Sequence, residues 1–471
     1  MSQPKFRVHV IAIVTVLLSA GMVAIGRSAS VRAEDTRRNP VVENATQRVE
    51  QGEQIFRFDT FGDEAFWGDT LKLHQAIEGA GLGGVGPGVS PKTALAVGLK
   101  VDVDALPRNL VEQIEKGRVN LNDPAVTLAL LKLNAVVGVA GFFNSSGTLK
   151  SVGIQCALCH STVDNSMPGL CAGQITPNPG TGCIGHRLDG WPNRDLNVGA
   201  IVALAPDLSV IANLLSTDQT TVRKVLNSWG PGKFDAELLL DGKAFNPQQV
   251  TDGTVTGTNV SGASLIPPAF GLGGVNLHTW IGWGSVPHWN AFVATLEMHG
   301  KGRFFDPRLN NAAQFPIAAA HGFADLPHIN PDDDLVTSKL APLQLYQLSI
   351  PAPNPTVPFD KAAAARGDEL FSGKAGCNNC HAEPLWTEPG WNLHPPSEVC
   401  IDNFQADRGP DMRYRTSPIG ALSTHFKGGF YHDGRFADLN AVVDHYNKCM
   451  SLGLSDGEKS DLIQYLLSLK F

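Results

Sequence analysis

"VGIQCALCHSTVDN" (residues 152–165) and "KAGCNNCHAEP" (residues 374–384) each set two cysteines and a histidine within five positions. With 8 Cys and 14 His among 471 residues, one such pentad is expected by chance roughly 0.004 times, so the repeat is signal. Zinc ribbons separate their cysteine pairs by about 15–20 residues, whereas Cys156 and Cys377 lie more than two hundred positions apart. A thioredoxin-like redox pair explains neither the trailing histidine nor the repeat. Covalent c-type haem explains both: two thiols add across the haem vinyl groups, and the adjacent imidazole sits on the iron. The cofactor-binding residues are then Cys156, Cys159 and His160 for haem 1, and Cys377, Cys380 and His381 for haem 2. His160 and His381 are the proximal iron ligands.

The N-terminus fits an export route. Lys5 and Arg7 precede an uncharged run, Val10–Ile25, and the small-residue stretch "GRSASVRA" ends at Ala33. Residues 1–33 read as a signal peptide cleaved after Ala33, with a periplasmic or secreted product. The competing reading is an uncleaved anchor helix, because sixteen residues approach the lower limit for a span. After cleavage no stable membrane insertion is expected.

Residues 34–471 carry 33 Lys+Arg against 45 Asp+Glu, a net charge of −12. That balance offers no basic patch for nucleic acid. An acidic face suits a basic redox partner, though dispersed surface charge is the plainer reading. The 49 Gly and 31 Pro predict long irregular connections between modest helices.

An internal echo organises the chain. "AARGDELFSGKAGCNNCH" sets Gly367, Leu370 and Phe371 on a short amphipathic helix before the second haem loop. "RVEQGEQIFRFDTFG" repeats the spacing with Gly52, Ile55 and Phe56. The step from glycine to first haem cysteine is 10 residues in the second unit and 104 in the first. The first haem domain therefore reads as the same unit with an insertion of about ninety residues. Within it "GAGLGG" (79–84) matches G-x-G-x-x-G, but it follows a helix-like stretch and opens no helix, so it reads as a loop.

"SIPAPNPTVPF" (349–359), with four prolines in eight positions, predicts a stiff linker. The chain divides into an N-terminal haem domain with insertions (34–348), the linker (349–359) and a C-terminal cytochrome c domain (360–471). In "LSDGEKSDLIQYLLSL" (454–469), Ser455 and Glu458 form a capping box, and Leu462, Tyr465, Leu466 and Leu469 share one face. That helix is expected to cross the opening helix with Tyr465 near Phe371.

"RYRTSPIGALSTHFKGGFYHDGRFADLNAVVDHYN" (413–447) resembles the matching segment of bacterial diheme cytochrome c peroxidases. That superfamily includes the MauG-type and rubber-oxygenase-like branches. The likeness is good over about 355–471 and looser over 140–345, where "RLDGWPNRDLNVGA" (187–200) is most similar to the rubber-oxygenase-like branch. It implies a mostly α-helical protein of two cytochrome c domains, the first enlarged by loop-rich insertions, with a haem crevice on each side of their interface. It also implies oxidative chemistry at haem 1, acting on peroxide, O2 or an organic substrate. Haem 2 would then feed or relay electrons and exchange them with a small redox protein. Several members hold a calcium ion between the domains; this sequence does not place its ligands.

Counting fourteen residues past His432, where peroxidases carry a methionine ligand, arrives at Tyr446, the residue type of the MauG-type branch. His445 and Met450 compete for the distal position of haem 2, and the rubber-oxygenase-like branch carries histidine there. At haem 1, His186, His278 and His288 are the candidate distal ligands, and no motif marks the distal glutamate of peroxidases. Trp191, Trp229, Trp280 and Trp283 are candidates either for an electron relay or for plain core. Of the remaining cysteines, Cys171–Cys183 would staple a turn-rich loop, which leaves Cys400–Cys449 by subtraction, with free thiols as the alternative. The sequence supports two functions, a haem oxidoreductase with an open site at haem 1 and a pure electron carrier with both irons six-coordinate.

Overall fold

Both glycines of the sequence echo sit where two helices cross. The computed structural model of the chain describes residues 39–470, apart from 168–181, 252, 258–259, 327–329 and 426. The expected signal peptide and the Cys171 end of the Cys171–Cys183 bridge lie outside the described residues. In chain order, the helices that frame the site are α1 (Pro40–Phe58), α2 (Ala157–His160), α3 (Val286–Phe292), α4 (Leu340–Ser349), α5 (Lys361–Ser372), α6 (Leu439–Cys449) and α7 (Asp456–Ser468).

Helix α1 starts on Asn39, whose side chain accepts from the Val41 amide, with Pro40 in the first turn. Its buried residues are Gly52, Ile55 and Phe56, and it packs on α4, nearly three hundred residues away. A Cβ at Gly52 would overlap the Pro342 carbonyl oxygen and lie 2.6 Å from Tyr346 Cβ, so only glycine permits this crossing. Phe56 and Tyr346 meet at 5.5 Å with their planes 59° apart.

Helices α5 and α7 repeat the arrangement. A Cβ at Gly367 would overlap the Asp461 carbonyl oxygen and lie 2.7 Å from Tyr465 Cβ. Phe371 and Tyr465 meet at 5.2 Å, again at 59°. Helix α7 opens with the expected capping box of Ser455 and Glu458. The Cys400–Cys449 disulfide forms, with Cα atoms 6.0 Å apart.

Helix dominates, but the first half also contains strand. Among the described residues, seven two-stranded sheets lie between residues 101 and 326. The hairpin of β1 (Val139–Phe143) and β2 (Leu149–Ile154) pairs Val139 with Ile154 and Phe142 with Ser151. It delivers the chain directly to Gln155 and the first haem loop. Trp67, Leu71, Leu130, Leu149 and Leu158 pack with Leu196 and Trp229 into the core of the insertion, each large side chain contributing about 1.5–3 kcal/mol on burial. "GAGLGG" holds one short turn, Ala80–Leu82, after the helix Leu73–Glu78, with no strand before it. Ser349 closes α4, so the extended proline-rich stretch begins at Ile350, one residue later than the sequence suggested.

The two halves interlock through buried ion pairs. Arg408 is fully buried and lies 2.8 Å from Asp235 and 2.8 Å from Asp241. Lys427 also reaches across to Asp195 at 2.6 Å, at a half-buried site, while Arg435 pairs with Asp402 at 2.9 Å within the second half. Removing one partner of a buried pair strands a charge and costs about 3–5 kcal/mol.

Candidate functional site

Each haem motif occupies one tight turn. His160 Nδ1 lies 3.2 Å from the Pro267 carbonyl, and His381 Nδ1 lies 3.0 Å from the Trp386 carbonyl. A carbonyl only accepts, so Nδ1 donates in both rings and Nε2 keeps the lone pair that iron needs. Desolvation pushes His160 down to about 4 and lowers His381, in both cases toward the neutral imidazole that a metal would require. Burial pushes Cys156 and Cys159 up to about 12 and Cys377 up to about 11. Neutral thiols outside any disulfide do not suit a redox-exchange pair, which needs a thiolate.

Two loops of the same shape tie the halves together. An antiparallel bridge joins His278 to Gly284, and another joins Phe430 to Phe436. Thr279 and Tyr431 have φ of 65° and 66°, and Gly282 and Gly434 have φ of 60° and 74°. Trp280 and His432 therefore hold equivalent positions. The Leu265 amide donates to the His432 carbonyl at 2.6 Å, and the Arg415 amide donates to the Trp280 carbonyl at 3.1 Å. The first contact adjoins Pro267, the acceptor for His160. The second adjoins Ser417, whose backbone hydrogen-bonds His381. Each half thus sends a loop to the segment that seats the other half's proximal histidine.

A cavity of about 1960 Å³, its open mouth included, lies against Cys156, Cys159 and His160. Ser264–Phe270 forms one wall, while α3 and the π turn Val293–Glu297 form another. Glu297, half-buried, ends that turn and lines the cavity; burial, and then Glu237 and Asp235, raise its carboxyl well above the usual carboxylate range. His278 also lines the cavity, held down at about 4 by burial and by Arg415. His425 lines it too, held at about 3 by burial and by Arg194. Glu297 and His425 are the site residues that sequence reading missed; neither stands in a motif, and only the fold brings them to the cavity.

Two cations here test whether haem fits. The Arg194 guanidinium is buried, and none of its three nitrogens has a hydrogen-bond partner. Arg415 lines the cavity; one of its terminal nitrogens donates to the Leu277 carbonyl, but Nε has no partner. Burial alone lowers both to about 10. A buried cation without a counter-charge is costly, and haem propionates are anions of the right kind to supply one. The donor set fits haem.

Over 281 residues, covering 50% of this chain and 78% of the relative, the chain is 27% identical to methylamine utilization protein MauG of Methylorubrum extorquens. Over 187 residues, covering 28% of this chain and 50% of the relative, it is 28% identical to cytochrome-c peroxidase IdrP1 of Denitromonas iodatirespirans. The chain thus resembles the diheme cytochrome c peroxidase/MauG superfamily. No family model matches it. These relatives support a redox enzyme carrying haem c.

Helix α6 carries His445 and Tyr446, two of the distal candidates expected from the sequence, and Met450 follows its last residue. His445 is buried, with Nε2 2.8 Å from the Val399 carbonyl. Cys449, one turn on, is bonded to Cys400, so the 399–400 segment grips one face of α6. Tyr446 lies about 100° round the helix, where burial raises its hydroxyl and the Cys377 and Cys380 sulfurs act on it. Met450 is 44% exposed. Of the three, Tyr446 is the one turned toward the second haem motif.

Several other candidates sit elsewhere. His186 is on the surface, 3.0 Å from Asp104. His288 packs in the aromatic core beside Trp283, Trp289 and Phe304. Trp191 packs on Phe270 and Trp229 on Phe234, and Trp283 donates to Asp306 at 2.9 Å. Only Trp280, of the four tryptophans, contacts both segments that seat the proximal histidines. Among the described residues, Cys380, Glu388 and His394 form the one tight His/Cys/Asp/Glu cluster. With a single carboxylate and a haem-motif cysteine, it does not suit calcium, which takes oxygen ligands. No described helix is long and apolar enough to cross a membrane.

Proposed function

We propose that the chain is an exported diheme c-type cytochrome acting as an oxidoreductase, with substrate reacting at haem 1 and electrons exchanged at haem 2. Cys156 and Cys159 would hold haem 1 on His160, and Cys377 and Cys380 would hold haem 2 on His381, with Tyr446 as its distal group. Residues 34–348 and 360–471 form the two haem domains, joined by 349–359. The observation that carries the reading is the asymmetry between the motifs: a cavity lined by the carboxyl-bearing residues Glu237 and Glu297 at the first and a clamped helix presenting Tyr446 at the second.

Haem 1 supplies one-electron redox chemistry and an iron coordination position. The chain's own residues do the rest. Pro267 orients His160, Arg194 and Arg415 would offset the propionates, and burial raises the Glu297 carboxyl well above the usual carboxylate range, as suits a proton donor. Trp280 lies on the line between the two haem-seating segments. Peroxide, O2 or an organic molecule would be the substrate, and a small redox protein the partner at the exposed second haem loop, in the periplasm.

A second reading, an electron carrier, is favoured by one observation: His278 is a neutral imidazole lining the cavity and would serve as a sixth ligand to haem 1. Haem content checks the shared basis of both readings. Two haems per chain should resist acid–acetone extraction, and Cys156→Ala or Cys377→Ala should each weaken retention of one. One haem per chain in the parent protein would defeat both.

A further inference from the structure

The loop that follows His381 carries a charged cluster that chemistry at haem 1 does not use. The Cys380 sulfur, a carboxylate oxygen of Glu388 and a ring nitrogen of His394 all lie within 4.8 Å of one another. His394 Nε2 is 2.6 Å from Glu388 Oε2, and its Nδ1 is 3.1 Å from Glu398 Oε1. An ionised carboxylate only accepts, so both ring nitrogens donate and the ring is an imidazolium. Burial pulls His394 down, and the hydrogen bonds to Glu388 and Glu398 override it, so the shift is upward.

Glu388 is held from its other side as well. Thr416 Oγ1 donates to Glu388 Oε2 at 2.5 Å, and Asn392 Nδ2 donates to Oε1 at 2.5 Å. Burial opposes charge on Glu388, but Thr416, His394 and Asn392 hold its carboxyl below the usual range. His394 is itself buried, and its backbone pairs with Tyr414 at 2.7 and 2.9 Å. The segment behind the cluster is thus the one whose Ser417 seats His381. The cluster holds one more carboxylate than cation in a fixed geometry. Burial, and then Glu388 and Glu398, raise the Cys380 thiol.

A haem joined to Cys380 would lie against these charges. Reduction adds an electron to that haem, so a fixed carboxylate beside it opposes reduction and a fixed imidazolium favours it. We propose that Glu388, His394 and Glu398 are positioning residues for electron exchange, a fixed charge cluster at the Cys380 edge that sets how readily haem 2 is reduced. This inference rests on the reading of the second motif as a haem site.

Potentiometric titration of the holoprotein at pH 7, followed by its visible spectrum, tests it. Two one-electron waves are expected, and the wave weakened in Cys377→Ala is that of haem 2. Glu388→Gln should favour reduction of haem 2 by about tenfold, or about 59 mV for a one-electron couple. His394→Gln should disfavour it by a similar factor. Glu398→Gln, at the exposed end of the cluster, should act in the same direction as Glu388→Gln but less. The haem 1 wave should stay in place in all three variants. Loosening of the loop alone would move haem 2 the same way in Glu388→Gln and His394→Gln, whereas charge moves it in opposite directions. A haem 2 wave that stays fixed, or shifts the same way in both, overturns the cluster and spares the haem. No wave weakened in Cys377→Ala sinks the reading of the second motif, and the cluster's role with it.

Discussion

The indole Nε1 of Trp280 donates to the Leu265 carbonyl at 2.8 Å, while the Trp280 carbonyl accepts from the Arg415 amide at 3.1 Å. One residue thus touches the segment seating His160 and the segment seating His381. Trp280→Phe keeps an aromatic ring and loses the indole donor. Electron transfer between the haems, followed by stopped-flow after reduction at haem 2, should slow, while the stability cost stays near 1 kcal/mol, that of one hydrogen bond. Unchanged transfer would remove Trp280 from the path.

Gly52 and Gly367 each lie under a crossing helix with no room for a Cβ. Gly52→Ala and Gly367→Ala should each destabilise the fold by about 3 kcal/mol through overpacking, read from the denaturant midpoint. Near-neutral variants would show that the crossings are looser than described.

Sequence alone reached a defined depth. The two Cys-x-x-Cys-His pentads were legible because their spacing is local. The Gly–aromatic echo was legible because a close helix crossing requires both residues on one face. The rotation of α6 was not, since it depends on Val399 and Cys400 gripping His445 and Cys449 from outside the helix. Glu297, His425 and Arg415 stayed hidden for a related reason, as did Arg194 beside them: their roles come from a cavity assembled from distant segments. The small sheets of the first half were missed because their strands run only two to six residues, too short to show an alternating pattern.

Rotation of α6 gives the third prediction. Tyr446→Phe should alter the haem 2 spectrum, and His445→Ala should alter it much less. Removing the Cys400–Cys449 bridge, which closes a separation of 49 residues, should cost up to about 4 kcal/mol and make the haem 2 spectrum heterogeneous. A changed spectrum in His445→Ala alone would transfer the ligand role to His445.

Asp63 gives a pH prediction. It is fully buried, with each carboxyl oxygen 3.2 Å from the Ile154 amide. Burial raises it from 3.8 to about 9. A carboxyl raised in the fold binds its proton more tightly there than in the unfolded chain. Its stabilising contribution is therefore complete below the unfolded value and is lost as pH rises toward the folded one. Stability should decline across that window by a few kcal/mol, and Asp63→Asn should flatten the decline. An equal slope in the variant would contradict the assignment.

Cyanide titration of the ferric holoprotein, followed by electron paramagnetic resonance, tests the central claim most directly. The predicted result is two distinct ferric signals, of which only the haem 1 signal shifts with cyanide while the Tyr446-ligated haem 2 signal stays fixed. Two cyanide-inert haems with matching signals would contradict an open site at haem 1 and leave the electron carrier.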